Sequence, residues 1–152
     1  MSNQFILWLF LIVPLLTLLL MKKEDIKRFM PVTLFTAVTS GIIYEIGIIA
    51  GVWYFREIAF PFVMYGVLPA VAVWVFRFTY GRFWLYIVTN AIIDLVFAFI
   101  LFPWFARRGI LGIGPWTCLI VYFVNFVHAS LLYIYQMWQE TIYALNLKKR
   151  SG

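Results

Sequence analysis

Long apolar runs alternate along the chain with short polar connections. A helix needs roughly 20 mostly apolar residues to cross a bilayer, and five runs meet this length. They lie at about residues 4–21, 29–52, 58–76, 83–104 and 115–138. Short connections make neighbouring helices antiparallel. The pattern therefore predicts an all-α, polytopic integral membrane protein that forms one five-helix bundle over residues 1–152.

Composition supports lipid rather than water as the solvent of this fold. Apolar residues make up 65% of the chain and charged residues 12%, whereas a soluble domain carries roughly 25% charged residues. A water-soluble fold of 152 residues could not bury that much apolar surface. Cys118 is the only cysteine, so an intrachain disulfide and a cysteine metal cage are both excluded.

The basic residues lie in short clusters between the apolar runs. Nine fall on one side of the predicted bundle: Lys22, Lys23, Lys27, Arg28, Arg77, Arg82, Lys148, Lys149 and Arg150. Three fall on the other side: Arg56, Arg107 and Arg108. The positive-inside rule then places the N-terminus outside and the C-terminus in the cytoplasm. Such clusters are typical of loops that face anionic lipid, so membrane lipids are predicted as partners and nucleic acid is not.

A few polar side chains lie inside the predicted spans. A central Asp costs about 2.5–3.5 kcal/mol on insertion scales, yet Asp94 lies near the middle of span four and Glu45 lies in span two. Asn90 is four residues before Asp94 and shares its helix face. Asn125 and His128 share a face of span five at a similar depth. We predict that these five residues form a cluster that handles protons or a ligand.

Two interpretations of this cluster stay open. Polar residues in membrane helices often only hydrogen-bond across helices, which would make the cluster structural. Alternatively, ionisable groups within a span mark a working site. Neither a metal nor a cofactor is predicted, because the one His and the two carboxylates include no ligand pair with the i, i+3 or i, i+4 spacing of metalloenzymes. No catalytic residue is assigned, and an enzyme is the less favoured interpretation.

Small residues recur along one part of span two. Gly41 follows Ala37 by four residues, and Gly51 follows Gly47 by four. This spacing lets two helices approach closely. It predicts either packing within the bundle or association with a second copy or another membrane protein.

Three short patterns resemble sequences of other proteins. They are Lys27-Arg28-Phe29-x-Pro31, Gly41-x3-Glu45-x-Gly47 and Asn90-x3-Asp94. In these the chain resembles the small, uncharacterised multi-span membrane proteins of spore-forming Gram-positive bacteria. The resemblance implies a bacterial plasma membrane and no defined activity.

Three functions fit these observations. The leading hypothesis is a small transporter, carrier or ligand-binding membrane protein that uses the polar cluster. The first alternative is a non-catalytic scaffold or subunit that assembles through span two. The second is an intramembrane enzyme acting on lipid, with two carboxylates as acid and base. That enzyme would need a lateral opening wide enough for an acyl chain.

Overall fold

A computed structural model describes residues 2–55 and 62–150, with the side chains described as far as residue 144. This part of the chain contains five helices and one two-stranded sheet. The helices are α1 (Asn3–Leu20), α2 (Lys23–Ile49), α3 (Val63–Thr79), α4 (Phe83–Arg107) and α5 (Thr117–Arg150), and the strands are β1 (Trp53–Phe55) and β2 (Leu111–Ile113).

Four of the five helices are long and apolar enough to cross a membrane, namely α1, α2, α4 and α5. The predicted helical fold with several spans is therefore confirmed in its coarse form. Helix α3 is shorter in the described residues, and residues 58–61 of the predicted third span lie outside them. Five spans, and the orientation of the two termini, stay predictions.

The outer surface of the helices is apolar. Leu19 is 78% exposed, Ile49 is 83% exposed and Trp84 is 77% exposed. Within the apolar window of α1 only 11% of residues are buried, against 28% in α2, α4 and α5. Such a surface would aggregate in water, because soluble proteins rarely expose large contiguous apolar patches. It suits lipid, and α1 is the helix with most of its length outside the packed core.

Helix α2 begins at Lys23, six residues before the predicted start of the second span at residue 29. The polar segment before the predicted span is thus helical, and Pro31 lies inside the helix. Glu24 and Asp25 occupy the first turn, where a negative charge interacts favourably with the helix dipole. Asp25 also forms an ion pair of 3.3 Å with Arg77 at the end of α3.

Two helices contain one widened π-helical turn each, at Val63–Val67 in α3 and at Phe97–Leu101 in α4. Each turn ends two residues before a proline, Pro69 or Pro103. A proline lacks the N–H that would bond to the carbonyl four residues earlier, and its ring collides with that carbonyl. A wider turn accommodates both effects, so these prolines explain where the π turns lie.

The short connections after α2 and α4 pair with one another as two strands. Strands β1 and β2 are antiparallel, with Tyr54 opposite Gly112. A Cβ on Gly112 would overlap the Tyr54 ring, so glycine is needed for the ring to lie flat across the partner strand. Helix α3 leads away from the ribbon and α4 returns to it, so both connections lie at the same end of the bundle.

The core has two apolar parts with polar residues between them. The part nearer the β-ribbon includes Leu7, Val63 and Phe105. The part at the opposite end includes Phe29, Val32, Val73, Phe76, Tyr86 and Leu132. The polar residues of α2, α4 and α5 lie between these clusters, as the next subsection describes.

Charged and aromatic side chains connect α2 to α5 at the end of the bundle away from the ribbon. Arg28 donates two hydrogen bonds to the Glu140 carboxylate, with Nε–Oε1 of 2.6 Å and Nη2–Oε2 of 3.0 Å. Gln136 donates a further bond to Glu140, and the Arg28 guanidinium lies 4.9 Å from the centre of the Tyr80 ring. Burial, together with the Glu140 carboxylate, raises the pKa of Tyr80 to about 12, so this phenol is neutral at physiological pH.

We expect this contact to contribute measurably to stability. Arg28→Ala and Glu140→Ala should show a coupling energy of about 1 kcal/mol in a double-mutant cycle, at the upper end for exposed ion pairs because the contact is bidentate. Thermal unfolding in detergent measures it. The single-contact pair Asp25–Arg77 is the control and should couple more weakly. Additive Arg28 and Glu140 effects would contradict the expectation.

Candidate intramembrane polar site

Four of the residues predicted to form the cluster line one cavity. Asn90 and Asp94 on α4 and Asn125 and His128 on α5 surround a space of about 80 Å³ between α2, α3, α4 and α5. Helix α2 adds Ser40, which is buried. Residues four apart on α4, and three apart on α5, point the same way because a helix turns every 3.6 residues. The structure thus brings these predicted residues together.

A second, smaller cavity of about 30 Å³ continues this space toward the β-ribbon. Ser40, Asn125 and His128 line both cavities, as do Leu68 and Phe97. Phe97 begins the π turn of α4, and the π turn of α3 also contributes lining residues. The smaller cavity is further lined by Ile43, Tyr44, Trp53, Met64, Phe102, Val121 and Val124. The widened turns therefore border the polar site.

Four buried polar atoms that line the two cavities have no hydrogen-bond partner in the described part of the chain. They are Ser40 Oγ, Trp53 Nε1, Asp94 Oδ2 and Asn125 Nδ2. Asp94 does lie close enough to Asn125 to interact with its side chain, but these particular atoms stay unpaired. A buried polar atom without a partner costs roughly 1–3 kcal/mol. Since the atoms face a cavity, water or a ligand can satisfy them.

His128 has a defined hydrogen bond on one ring nitrogen. Its Nε2 lies 2.6 Å from Thr39 Oγ1. The single Thr39 hydroxyl proton is directed at the Phe35 carbonyl at 2.7 Å, so the hydroxyl accepts from His128 and Nε2 carries the hydrogen. This geometry leaves Nδ1 as the basic nitrogen, and Nδ1 makes no hydrogen bond to any residue the structure describes. A ring held in this way can accept a proton from the cavity.

Ser40 differs from the neighbouring hydroxyl residues of α2. Thr33, Thr36 and Thr39 each donate to the carbonyl four residues earlier, at 2.7 Å. Such bonding within the helix is the usual arrangement for a hydroxyl in a membrane helix. Ser40 Oγ makes no such bond, so its donor and its lone pairs are available to the contents of the cavity.

Aromatic packing borders the site on the side away from the ribbon. Asn90 Nδ2 donates to the Tyr86 carbonyl at 2.8 Å, and the Tyr86 hydroxyl donates to the Ala129 carbonyl at 2.9 Å. The Tyr86 ring lies 4.8 Å from the Phe76 ring and 4.9 Å from the Tyr133 ring, between centroids. These contacts fix α4 against α5 directly beside the cavity.

Glu45 does not join the cluster. Its side chain is exposed and lines a separate surface groove between α2 and α3. Five residues separate Glu45 from Ser40, which turns the helix through about 140° beyond one full turn at 3.6 residues per turn. Ser40 therefore faces the interior while Glu45 faces outward. The prediction considered depth alone and placed Glu45 in the interior cluster.

The glycines of α2 have uses within the chain. A Cβ on Gly47 would overlap the Trp53 indole, so Gly47 provides the surface on which Trp53 packs. Gly51 has φ of +68° and follows the end of α2. There the N–H groups of Val52 and Gly51 bond to the Gly47 and Ile48 carbonyls, which is a Schellman cap. Gly41 is open to the groove, with only the Tyr65 hydroxyl near it.

Sequence reasoning missed two residues of the site. Thr39 holds the His128 ring, and the cluster of hydroxyl residues around it on α2 was an available signal. Trp53 lies in β1 and reaches the cavity over Gly47, and no local pattern indicates this contact. Among the described residues, no group of three or more His, Cys, Asp or Glu side chains is arranged to hold a metal ion.

Comparisons with protein families, with curated proteins and with solved structures found no match. The class of the protein therefore follows from the fold and the site alone. The chain has the features of a multi-pass helical membrane protein with a polar cavity among its helices. The resemblance to membrane proteins of spore-forming bacteria, and the plasma-membrane location, stay predictions.

Proposed function

We propose that this protein is a small membrane carrier whose cavity handles protons, with Asp94 and His128 as the exchanging groups. The observation that carries the proposal is the set of unpaired buried polar atoms around the cavity, those of Ser40, Trp53, Asp94 and Asn125. A purely structural polar core would pair such atoms with one another.

Cavity size selects among the substrates considered from the sequence. A water needs about 10–15 Å³ of such space, so the larger cavity of about 80 Å³ suits on the order of five waters. Sites for drug-sized ligands measure about 300–1,000 Å³. An acyl chain or an organic solute is therefore too large, whereas water and protons fit.

The polar side chains supply a short path for proton movement. The protonated Asp94 carboxyl group can release a proton to cavity water, and the Nδ1 of neutral His128 can accept one. Asn125 lies beside Asp94 and lines both cavities, so its amide can orient the water between them. The transfer leaves a carboxylate and an imidazolium in one low-dielectric site, where the opposite charges offset each other until the proton moves on.

The two alternative functions have less support. The scaffold hypothesis relied on the glycines of α2, but Gly47 and Gly51 act in packing and capping within this chain. The lipid-enzyme hypothesis needed two carboxylates at one site, but Glu45 lines the surface groove between α2 and α3 whereas Asp94 lines the interior cavity. Neither alternative explains why unpaired polar atoms face the interior.

Proton flux into vesicles tests the proposal. Purified protein is reconstituted into liposomes that contain a pH-sensitive dye, and a potassium diffusion potential drives protons. We expect Asp94→Asn to reduce the flux at least tenfold, to the level of protein-free vesicles, because the variant keeps the shape and loses the exchangeable proton. Folding should be unchanged, as size-exclusion profiles and thermal unfolding would verify.

Glu24→Gln is the matched control, since Glu24 is an exposed carboxylate in the first turn of α2 and should not affect flux. The proposal fails if wild-type protein conducts no faster than empty vesicles. It also fails if Asp94→Asn conducts as fast as the wild type.

A further inference from the structure

A surface groove between α2 and α3 contains the other carboxylate within the predicted spans. The groove measures about 540 Å³, within the range of sites for drug-sized ligands. Its lining is otherwise mostly apolar, with Ala37, Val38, Gly41, Ile42, Tyr44, Ile46, Met64 and Tyr65 around Glu45. The groove therefore combines one acidic group with a large apolar surface.

Glu45 has no partner within the described chain. It forms no ion pair or hydrogen bond there, and the two ion pairs among the described residues join Arg28 to Glu140 and Arg77 to Asp25. Glu45 lies four residues before the end of α2 at Ile49, about 6 Å along the axis at 1.5 Å per residue. A carboxylate at this position beside lipid is unfavourable unless a cation offsets its charge.

Two tyrosines and a glycine shape the groove around this carboxylate. The Tyr65 hydroxyl lies 3.6 Å from the position that a Cβ would occupy on Gly41, so the Tyr65 side chain crosses α2 at that glycine. Gly41 is four residues before Glu45 and lies on the same face. Tyr44 lines both this groove and the smaller interior cavity. Aromatic rings beside a carboxylate are the usual surroundings of an organic cation.

We infer that this groove binds a lipophilic organic cation, with Glu45 opposing its charge and Tyr65 covering its apolar groups. Charge complementarity selects a cation, and the apolar lining selects one with aryl or alkyl substituents rather than a hydrated metal ion. The site is separate from the polar cavity, so this inference does not depend on proton transport.

Binding of tetraphenylphosphonium tests the inference. Full-length protein in phosphatidylcholine nanodiscs is titrated by calorimetry without any proton gradient, and empty nanodiscs give the background. We expect saturable binding to wild-type protein and at least tenfold weaker binding to Glu45→Gln. Glu45 is exposed, so the variant should fold normally. Glu24→Gln is the matched carboxylate control and should bind like the wild type.

Two further measurements separate the sources of affinity. Neutral triphenylphosphine oxide should bind wild type and Glu45→Gln equally, because it lacks the charge. Gly41→Leu should block the cation by filling the groove while leaving the fold intact. Absence of saturable binding, or equal affinity for Glu45→Gln, overturns the inference. It is also overturned if phosphatidylethanolamine in the nanodiscs abolishes binding, since the groove would then hold a lipid amine.

Discussion

Gly66→Val should abolish folding of this protein. Gly66 lies in the π turn of α3 and faces α1. A Cβ at this position would lie 2.6 Å from the Leu11 Cα and 2.6 Å from the Phe10 carbonyl oxygen. The obstruction is backbone rather than a movable side chain, so α1 must be displaced. Overpacking of flexible cores already costs about 1–3 kcal/mol, and separation of two backbones should cost more.

The measurement is the fraction of monodisperse protein after extraction in a mild detergent, followed by thermal unfolding. Gly41→Ala is the matched control, because its new methyl group would meet only the Tyr65 hydroxyl at 3.6 Å. Alanine is also the better helix former, by up to about 1 kcal/mol, so Gly41→Ala should be neutral or stabilising. Equal stability of Gly66→Val and the wild type would show that α1 does not pack on α3 as described.

Trp53→Ala should cost about 3–5 kcal/mol of the free energy of unfolding, the usual range for truncation of a buried aromatic residue. The indole is 6% exposed, packs on Gly47 and lies 6.1 Å from the Phe102 ring, between centroids. Its removal would enlarge the smaller cavity and detach β1 from α2. Thermal unfolding in detergent measures the loss. Trp53→Phe keeps most of the packing and should cost less than half as much.

A second substitution tests the contact itself. Gly47→Ala should destabilise the wild type by roughly 1–3 kcal/mol, because the new Cβ overlaps the indole and the core is overpacked. In the Trp53→Ala background that obstruction is gone, so the same substitution should be neutral or stabilising. Additive effects of the two substitutions would rule out the contact.

The helical spans followed from the sequence because they depend on composition within a single segment. A membrane helix satisfies its backbone hydrogen bonds internally, so hydropathy over about 20 residues is enough to locate it. The predicted start of span four at residue 83 coincides with the start of α4 at Phe83. The start of α2 was misplaced, because Lys23–Arg28 is polar in sequence while its carboxylates favour the first turn of a helix.

The grouping of Asn90, Asp94, Asn125 and His128 was also within reach of the sequence. Asn90 and Asp94 share one face of α4, and Asn125 and His128 share one face of α5. Polar faces at the same depth on two adjacent helices are expected to turn toward each other rather than toward lipid. Depth along the helix does not tell which face of α2 packs inward. Glu45 was therefore grouped with the cavity residues, although it faces away from them. Thr39 was missed because a hydroxyl in a membrane helix usually bonds to its own backbone, and only the structure shows its second contact with His128.

The sequence by itself located the apolar helices, favoured lipid as their solvent, and identified most of the polar residues that line the cavity. Tertiary structure alone decided that β1 pairs with β2. It also decided that Trp53 packs on Gly47, that α1 packs on Gly66, and that Glu45 lies in a separate groove. The reason is physical: hydropathy and helical period act within one segment, whereas pairing, close approach and helix rotation depend on contacts between segments distant in sequence.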